Sequence, residues 1–153
     1  MNKVRQIINR KPAVFIVVAL GYIALAGFLK WRSAPPAAAL WFVGGGLLGI
    51  YFLDIAEVFF NLTPSPFRSI VFAVGFALVS FFVVTSSGSL LASGLVLSLH
   101  LTLILAAIGE WQVRGNLLSW YQMIEGPVNQ QIQWWGMVLF VILFIVETYL
   151  FIR

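Results

Sequence analysis

Residues 69–109 read SIVFAVGFALVSFFVVTSSGSLLASGLVLSLHLTLILAAIG, an apolar run of 41 residues interrupted mainly by the polar sequence SSGS at 86–89. One helix crosses the ~30 Å hydrocarbon core of a bilayer in about 20 residues, so this run is too long for a single crossing. Ser and Gly favour a tight turn between two helices. The stretch therefore predicts two membrane-spanning helices joined as a hairpin.

Three more apolar stretches of similar length lie outside this hairpin. The six prolines of the chain fall at the edges of the stretches or in the connections, where a missing backbone N–H does no harm. The predicted spans are 12–29, 38–60, 69–86, 90–109 and 134–151. They predict an all-α, polytopic integral membrane protein, with one transmembrane domain over residues 1–153 built as a five-helix bundle.

The composition supports a membrane protein and excludes several functional classes. Of the 153 residues, 61% are hydrophobic and 9% are charged, with a mean hydropathy of +1.01. Soluble domains have about 45–50% apolar and about 25% charged residues. The net charge of +4 comes from basic residues scattered beside the spans, so the expected partner is the lipid bilayer and not a nucleic acid. The absence of cysteine excludes a disulfide, a thiolate nucleophile and a cysteine metal site.

The connection between the fourth and fifth spans has a helical pattern of its own. Leu117, Trp120, Tyr121 and Ile124 follow the i, i+3, i+4, i+7 spacing, and a Gly-Pro pair at 126–127 ends the pattern. We expect a short amphipathic helix over about 117–125, lying in the membrane interface. An irregular polar loop is the alternative, because about ten residues are marginal for an isolated helix.

The distribution of Lys and Arg predicts the orientation. With the N-terminus in the cytoplasm, six of the nine basic residues lie inside and three lie outside, which favours an N-in, C-out topology. The expected location is a plasma membrane or a bacterial inner membrane. A cleaved signal peptide is the alternative interpretation of the first span, which follows a basic segment and precedes a run of alanines at 37–39.

Small residues predict where the helices pack against one another. Gly46 and Gly49 lie on one side of the second span, and this side continues into its acidic residues. Gly94, Ser98 and Thr102 recur every four residues in the fourth span. Small residues let a neighbouring backbone approach closely, so we expect both faces to contact other helices and the fourth span to lie at the bundle centre.

Four ionisable residues fall inside the spans: Asp54, Glu57, His100 and Glu147. The depths of Asp54 and His100 differ by ~5 Å along the membrane normal, within reach of their side chains. We therefore expect an inner-leaflet cluster of Asp54, Glu57 and His100 that could relay protons or hold a cation. In the structural alternative, Asp54 pairs with Arg68 or caps a neighbouring helix, and Glu57 reaches the cytoplasmic headgroups. His100 would then bond a hydroxyl. Glu147 lies near the opposite end, where we expect it to reach the outer interface.

The sequence contains no recognisable catalytic motif, no set of metal ligands and no phosphate-binding loop, so no catalytic residue, metal or cofactor is predicted. The leading hypothesis is a non-enzymatic membrane protein with a structural, binding or subunit role. Its expected partner is a second copy of the chain or another membrane protein. The alternative is a small proton-coupled or cation transporter using Asp54, Glu57 and His100. A membrane-embedded hydrolase is the third interpretation.

Overall fold

The computed structural model describes residues 5, 13–32, 34–61, 67, 69–121 and 128–153. Within these ranges the long elements are all α-helices, and five segments are long and apolar enough to cross a membrane. The helices are α1 (Ala13–Trp31), α2 (Ala39–Phe59), α3 (Ile70–Phe82), α4 (Leu90–Arg114) and α5 (Gln130–Ile152). The predicted all-α, five-span architecture is confirmed.

A serine side chain caps the beginning of each helix of the hairpin, and a glycine ends the first helix. Ser69 Oγ accepts from the Phe72 N–H before α3, and Ser89 Oγ accepts from the Ala92 N–H before α4, each at 3.2 Å. After Phe82 the chain continues as a π-helical turn, Val83–Ser87, and Gly88 ends it with a φ of 64°. Glycine adopts this left-handed conformation without a steric cost, which explains the tight turn.

The two helices around the longer connection extend beyond the predicted spans. The fourth span was predicted to end at 109, but α4 continues to Arg114, whose guanidinium lies 3.6 Å from the Glu110 carboxylate one turn earlier. Gly115 then ends the helix with a φ of 73°. The fifth span was predicted from 134, but α5 begins at Gln130 because Asn129 caps it. Hydropathy marks the hydrocarbon-crossing part of a helix, not its polar ends.

Glycines bring the backbones of α2 and α4 into direct contact. A Cβ atom placed on Gly45 would overlap the Leu91 carbonyl oxygen, and one placed on Gly94 would overlap the Phe42 carbonyl oxygen. A Cβ on Gly49 would lie 2.5 Å from the Leu95 carbonyl oxygen. Glycine is therefore required at these positions for the helices to approach this closely.

Helix α4 lies at the centre of the bundle, as the small residues on its faces predicted. It packs against each of the other four helices and contains more buried residues than any of them. One apolar cluster joins it through Leu97 to Ile23 of α1, Phe42 of α2 and Phe151 of α5. The outer helices expose large apolar side chains, as a lipid-facing surface requires.

The connection after α4 folds back onto the bundle. Leu117, Trp120 and Tyr121 are buried in a second apolar cluster with Leu99 and Leu103 of α4. In place of the predicted amphipathic α-helix, the described part contains a short 3₁₀ helix, Leu118–Tyr121. Residues 122–127 of the predicted helix lie outside the described residues, so an interfacial helix there stays a prediction.

Polar side chains hold this connection against the helices. Trp120 Nε1 donates to Glu110 Oε2 at 2.5 Å. The buried side chain of Gln133 accepts from the Leu117 N–H at 2.8 Å and donates to the Val128 carbonyl oxygen at 3.1 Å. One side chain thus satisfies backbone groups at both ends of the connection. Burial raises the pKa of Tyr121 within the same segment.

We expect Gly94→Ala to destabilise the bundle by about 1–3 kcal/mol, because its Cβ forces the backbones of α2 and α4 apart. The measurement is the free energy of unfolding in mixed micelles titrated with SDS. Gly44→Ala is the matched control. A Cβ at position 44 would lie more than 4 Å from every described atom other than its chain neighbours and the adjacent backbone of its own helix. Equal stability of the two variants would contradict the close contact.

We expect Gln133→Leu to cost about 1–3 kcal/mol, because it leaves a buried N–H at Leu117 and a carbonyl at Val128 without their partner. Amide hydrogen exchange at Leu117 should become faster in this variant. The control is Gln131→Leu, on the exposed side of the same helical turn. Unchanged exchange at Leu117 would show that Gln133 does not hold the connection.

Candidate functional site

The most buried ionisable residue of α4 is His100, whose side chain is 0% exposed. Its Nδ1 atom lies 3.0 Å from Glu147 Oε2, and its Nε2 atom lies 3.2 Å from the Phe140 carbonyl oxygen. Both partners belong to α5. The rings of Phe76, Phe140 and Phe144 surround the imidazole, with centroids 4.1–5.8 Å away. His100 is therefore enclosed by aromatic rings and bonded through both nitrogens.

The second carboxylate oxygen of Glu147 connects α5 to a third helix. Ser80 Oγ of α3 donates to Glu147 Oε1 at 2.7 Å, and the Ala77 carbonyl oxygen lies 3.0 Å from the same hydroxyl. Ser80 is 0% exposed and Glu147 is 1% exposed. We call these three side chains the Ser80–Glu147–His100 network. It joins α3, α4 and α5 in the interior of the bundle.

The expectation that Glu147 reaches the outer interface is wrong. His100 lies ten residues from the start of α4 and Glu147 five residues from the end of α5, which places them about 15 Å and about 8 Å from those helix ends. Side chains lean toward the N-terminus of their own helix. As consecutive spans, α4 and α5 run in opposite directions, so these two side chains lean toward each other and close the axial gap.

The hydrogen bonds of the His100 ring differ from the expected cluster with Asp54 and Glu57. Both of its ring nitrogens are bonded to α5, whereas the two carboxylates lie on α2. Asp54 and Glu57 are buried, as a position inside the bundle requires. Asp54 and His100 lie at similar depths along their helices, but the rotation of α4 about its axis directs the imidazole toward α5.

The residues expected to pack helices together occupy two interfaces. Gly49 and Gly94 lie between α2 and α4, and a Cβ on Gly49 would also lie 2.9 Å from the Cβ of Ser98. Gly46 instead faces α1, where a Cβ would lie 2.6 Å from Cδ1 of Ile23. Thr102 is buried, and its hydroxyl donates to the carbonyl oxygen of Leu99 at 2.7 Å.

Sequence reasoning missed two polar contacts between α1 and α5. Thr148 Oγ1 lies 2.9 Å from the Phe144 carbonyl oxygen, to which it donates, and 2.8 Å from the Tyr22 hydroxyl. Lys30 Nζ donates to the Phe151 carbonyl oxygen at 2.6 Å, and the ammonium lies 4.5 Å from the centroid of the Phe151 ring. A cation at a helix C-terminus is favoured by the helix dipole. Helix α1 is thereby joined to the bundle by specific bonds.

The order of the bonds in the network differs from that of a serine hydrolase. In such an enzyme the serine bonds the histidine, which is in turn oriented by a carboxylate. Here the carboxylate of Glu147 lies in the middle, bonded to Ser80 on one side and His100 on the other. Within the described helices, no three His, Asp or Glu side chains are grouped as a metal site needs.

No family model matches the chain, and no curated protein or solved structure matches it. Its function is therefore inferred from the contacts described above. The Ser80–Glu147–His100 network is the most buried polar arrangement in the described part of the chain, with all three side chains at most 1% exposed. It is the strongest candidate for a functional element.

We expect Glu147→Leu to destabilise the bundle by about 1–3 kcal/mol, because it leaves the buried Nδ1 atom of His100 without its partner and removes the acceptor that lies 2.7 Å from the Ser80 hydroxyl. The measurement is again unfolding in mixed micelles. Tyr149→Leu, on the exposed side of α5, is the control. In a double-mutant cycle, Ser80→Ala and Glu147→Leu should be non-additive by about 0.5–3 kcal/mol, whereas additive effects would argue against a network.

Proposed function

We propose that this chain is a non-enzymatic, multi-pass membrane protein with a structural, binding or subunit role in the bilayer. The observation that carries this proposal is the way in which its central polar side chains bond one another. Ser80, His100 and Glu147 each have their partners within the bundle. Polar groups that serve a substrate would instead converge on an open, accessible pocket.

The exterior of the bundle is consistent with such a role. Large apolar side chains are exposed on the outer helices, including Val14 of α1, Leu78 and Phe82 of α3, and Ile145 of α5. Such a surface suits contact with lipid, with a second copy or with another membrane protein. The close α2–α4 contact and the buried network hold the helices that present this surface in fixed positions.

The hydrolase interpretation has the least support. Ser80 donates to the carboxyl group of Glu147 and not to the imidazole, so the serine–histidine pair of a serine hydrolase is not formed, and Ser80 is 0% exposed. The serines of the hairpin turn, Ser86, Ser87 and Ser89, are exposed, whereas His100 is 0% exposed in the middle of α4. No accessible serine is therefore paired with His100 among these residues.

The transporter alternative depends on access from water, which two observations disfavour. His100 and Glu147 are at most 1% exposed, and their polar atoms are already bonded to protein groups. A transporter built on Asp54, Glu57 and His100 would need His100 to exchange its α5 partners for those on α2. Flux measurements distinguish this alternative directly.

We expect proteoliposomes that contain the purified protein to dissipate an imposed proton gradient no faster than protein-free liposomes, because Ser80, His100 and Glu147 bond one another and are each at most 1% exposed. An entrapped pH-sensitive dye gives the readout, and a protonophore added at the end shows that the vesicles are sealed. A protein-dependent flux that His100→Ala abolishes, while the variant stays folded, would overturn the proposal in favour of transport.

A further inference from the structure

We propose that His100 and Glu147 form a proton-binding site inside the bundle, in which one proton shared between His100 Nδ1 and Glu147 Oε2 holds α4 against α5. This inference goes beyond the proposed function, because it makes the packing of two membrane helices depend on a bound proton. The geometry of the two ring nitrogens carries it.

The Phe140 carbonyl oxygen determines which ring nitrogen of His100 carries a hydrogen. A carbonyl oxygen can only accept, and it lies 3.2 Å from Nε2, so Nε2 must donate. In a neutral imidazole with its hydrogen on Nε2, the Nδ1 atom is an acceptor. The 3.0 Å contact between Nδ1 and Glu147 Oε2 therefore needs one further hydrogen.

That hydrogen can lie on either atom without changing the number of protons in the pair. If it lies on Oε2, a neutral carboxyl donates to a neutral imidazole. If it lies on Nδ1, an imidazolium donates to a carboxylate. Both forms have no net charge, as burial in an apolar bundle favours. Moving the proton from Oε2 to Nδ1 breaks one O–H bond and forms one N–H bond, so the pair holds one proton throughout.

Loss of the shared proton leaves the imidazole with one hydrogen for its two acceptors on α5. If that hydrogen stays on Nε2, two lone pairs face each other across 3.0 Å at Glu147, and if it moves to Nδ1, two face each other across 3.2 Å at the Phe140 carbonyl oxygen. Either way one bond to α5 is lost, and a carboxylate is buried beside a neutral histidine. An uncompensated charge in a buried site is strongly unfavourable. One of the two bonds between His100 and α5 is therefore present only while the shared proton is bound.

The groups around the pair do not replace the proton. From α3, Ser80 donates to Oε1 and so holds the carboxyl with Oε2 toward the imidazole, and it is a positioning residue. From α1, the hydroxyl of Tyr22 bonds Thr148 beside Glu147. Helix α2 carries Tyr51, Asp54 and Glu57, none of which is a cation.

The chain offers a variant that mimics the proton-bound state. In Glu147→Gln the amide has the shape of the neutral carboxyl: its NH₂ can donate to Nδ1, while its oxygen accepts from Ser80. Glutamine cannot lose that hydrogen. The variant should therefore keep the α4–α5 contact at every pH at which the bundle is folded.

The experiment measures the separation of α4 and α5 as a function of pH. The chain has no cysteine, so Leu91→Cys and Tyr149→Cys, at exposed positions near the outer ends of the two helices, can carry spin labels. Double electron–electron resonance in nanodiscs, from about pH 6 to about pH 10, gives the distance distribution. With Glu at position 147, we expect the distribution of spin-label distances to broaden or shift to longer distances at high pH. With Glu147→Gln in the same labelled protein, we expect the distribution to stay unchanged.

A second measurement tests the protonation directly and uses the fact that His100 is the only histidine. With ¹⁵N-histidine labelling, we expect Nε2 to carry a hydrogen at neutral pH, and the Nδ1 signal to change at high pH in wild type but not in Glu147→Gln. An Nε2 atom without hydrogen would overturn the proposal. Identical pH responses of wild type and Glu147→Gln in the spin-label distances would also overturn it. Neither outcome bears on proton flux, so the proposed function is tested separately.

Discussion

The hydrogen bond between His100 and Glu147 determines how the last two helices meet, because hydrocarbon offers a buried polar group no other partner. A polar side chain inside a bilayer is strongly unfavourable unless the protein supplies its hydrogen-bond partner, because no water is present to do so. In the Ser80–Glu147–His100 network, side chains from α3, α4 and α5 supply hydrogen-bond partners to one another. Once Ser80 and His100 occupy two sides of Glu147, the rotation of all three helices about their axes is restricted.

A second constraint acts on the opposite side of α4. Gly45 and Gly94 allow the α2 and α4 backbones to touch, and any side chain there would overlap a carbonyl oxygen of the neighbouring helix. Contact without side chains gains dispersion energy over a large area, which is the main source of helix association when lipid is as apolar as leucine. Helix α4 is thus held by backbone packing on one side and by polar bonds on another.

These two constraints account for the positions of the polar residues and glycines inside the bundle. The polar residues are used to join helices, and the apolar residues outside are free to contact lipid or a partner. A buried pair that holds one proton makes this packing variable, because a bond that joins α4 to α5 depends on that proton.

The sequence by itself determined the number of spans, the all-α class, the hairpin at 86–89 and the small-residue faces of the second and fourth helices, since these depend on length, hydropathy and local spacing. Only the tertiary structure decided which polar residues meet. His100 and Glu147 are 47 residues apart, and no local period reports how two helices are rotated or how their side chains lean toward each other. For the same reason the sequence predicted the partners of His100 on α2, and it did not predict the burial of Leu117 and Trp120 against α4.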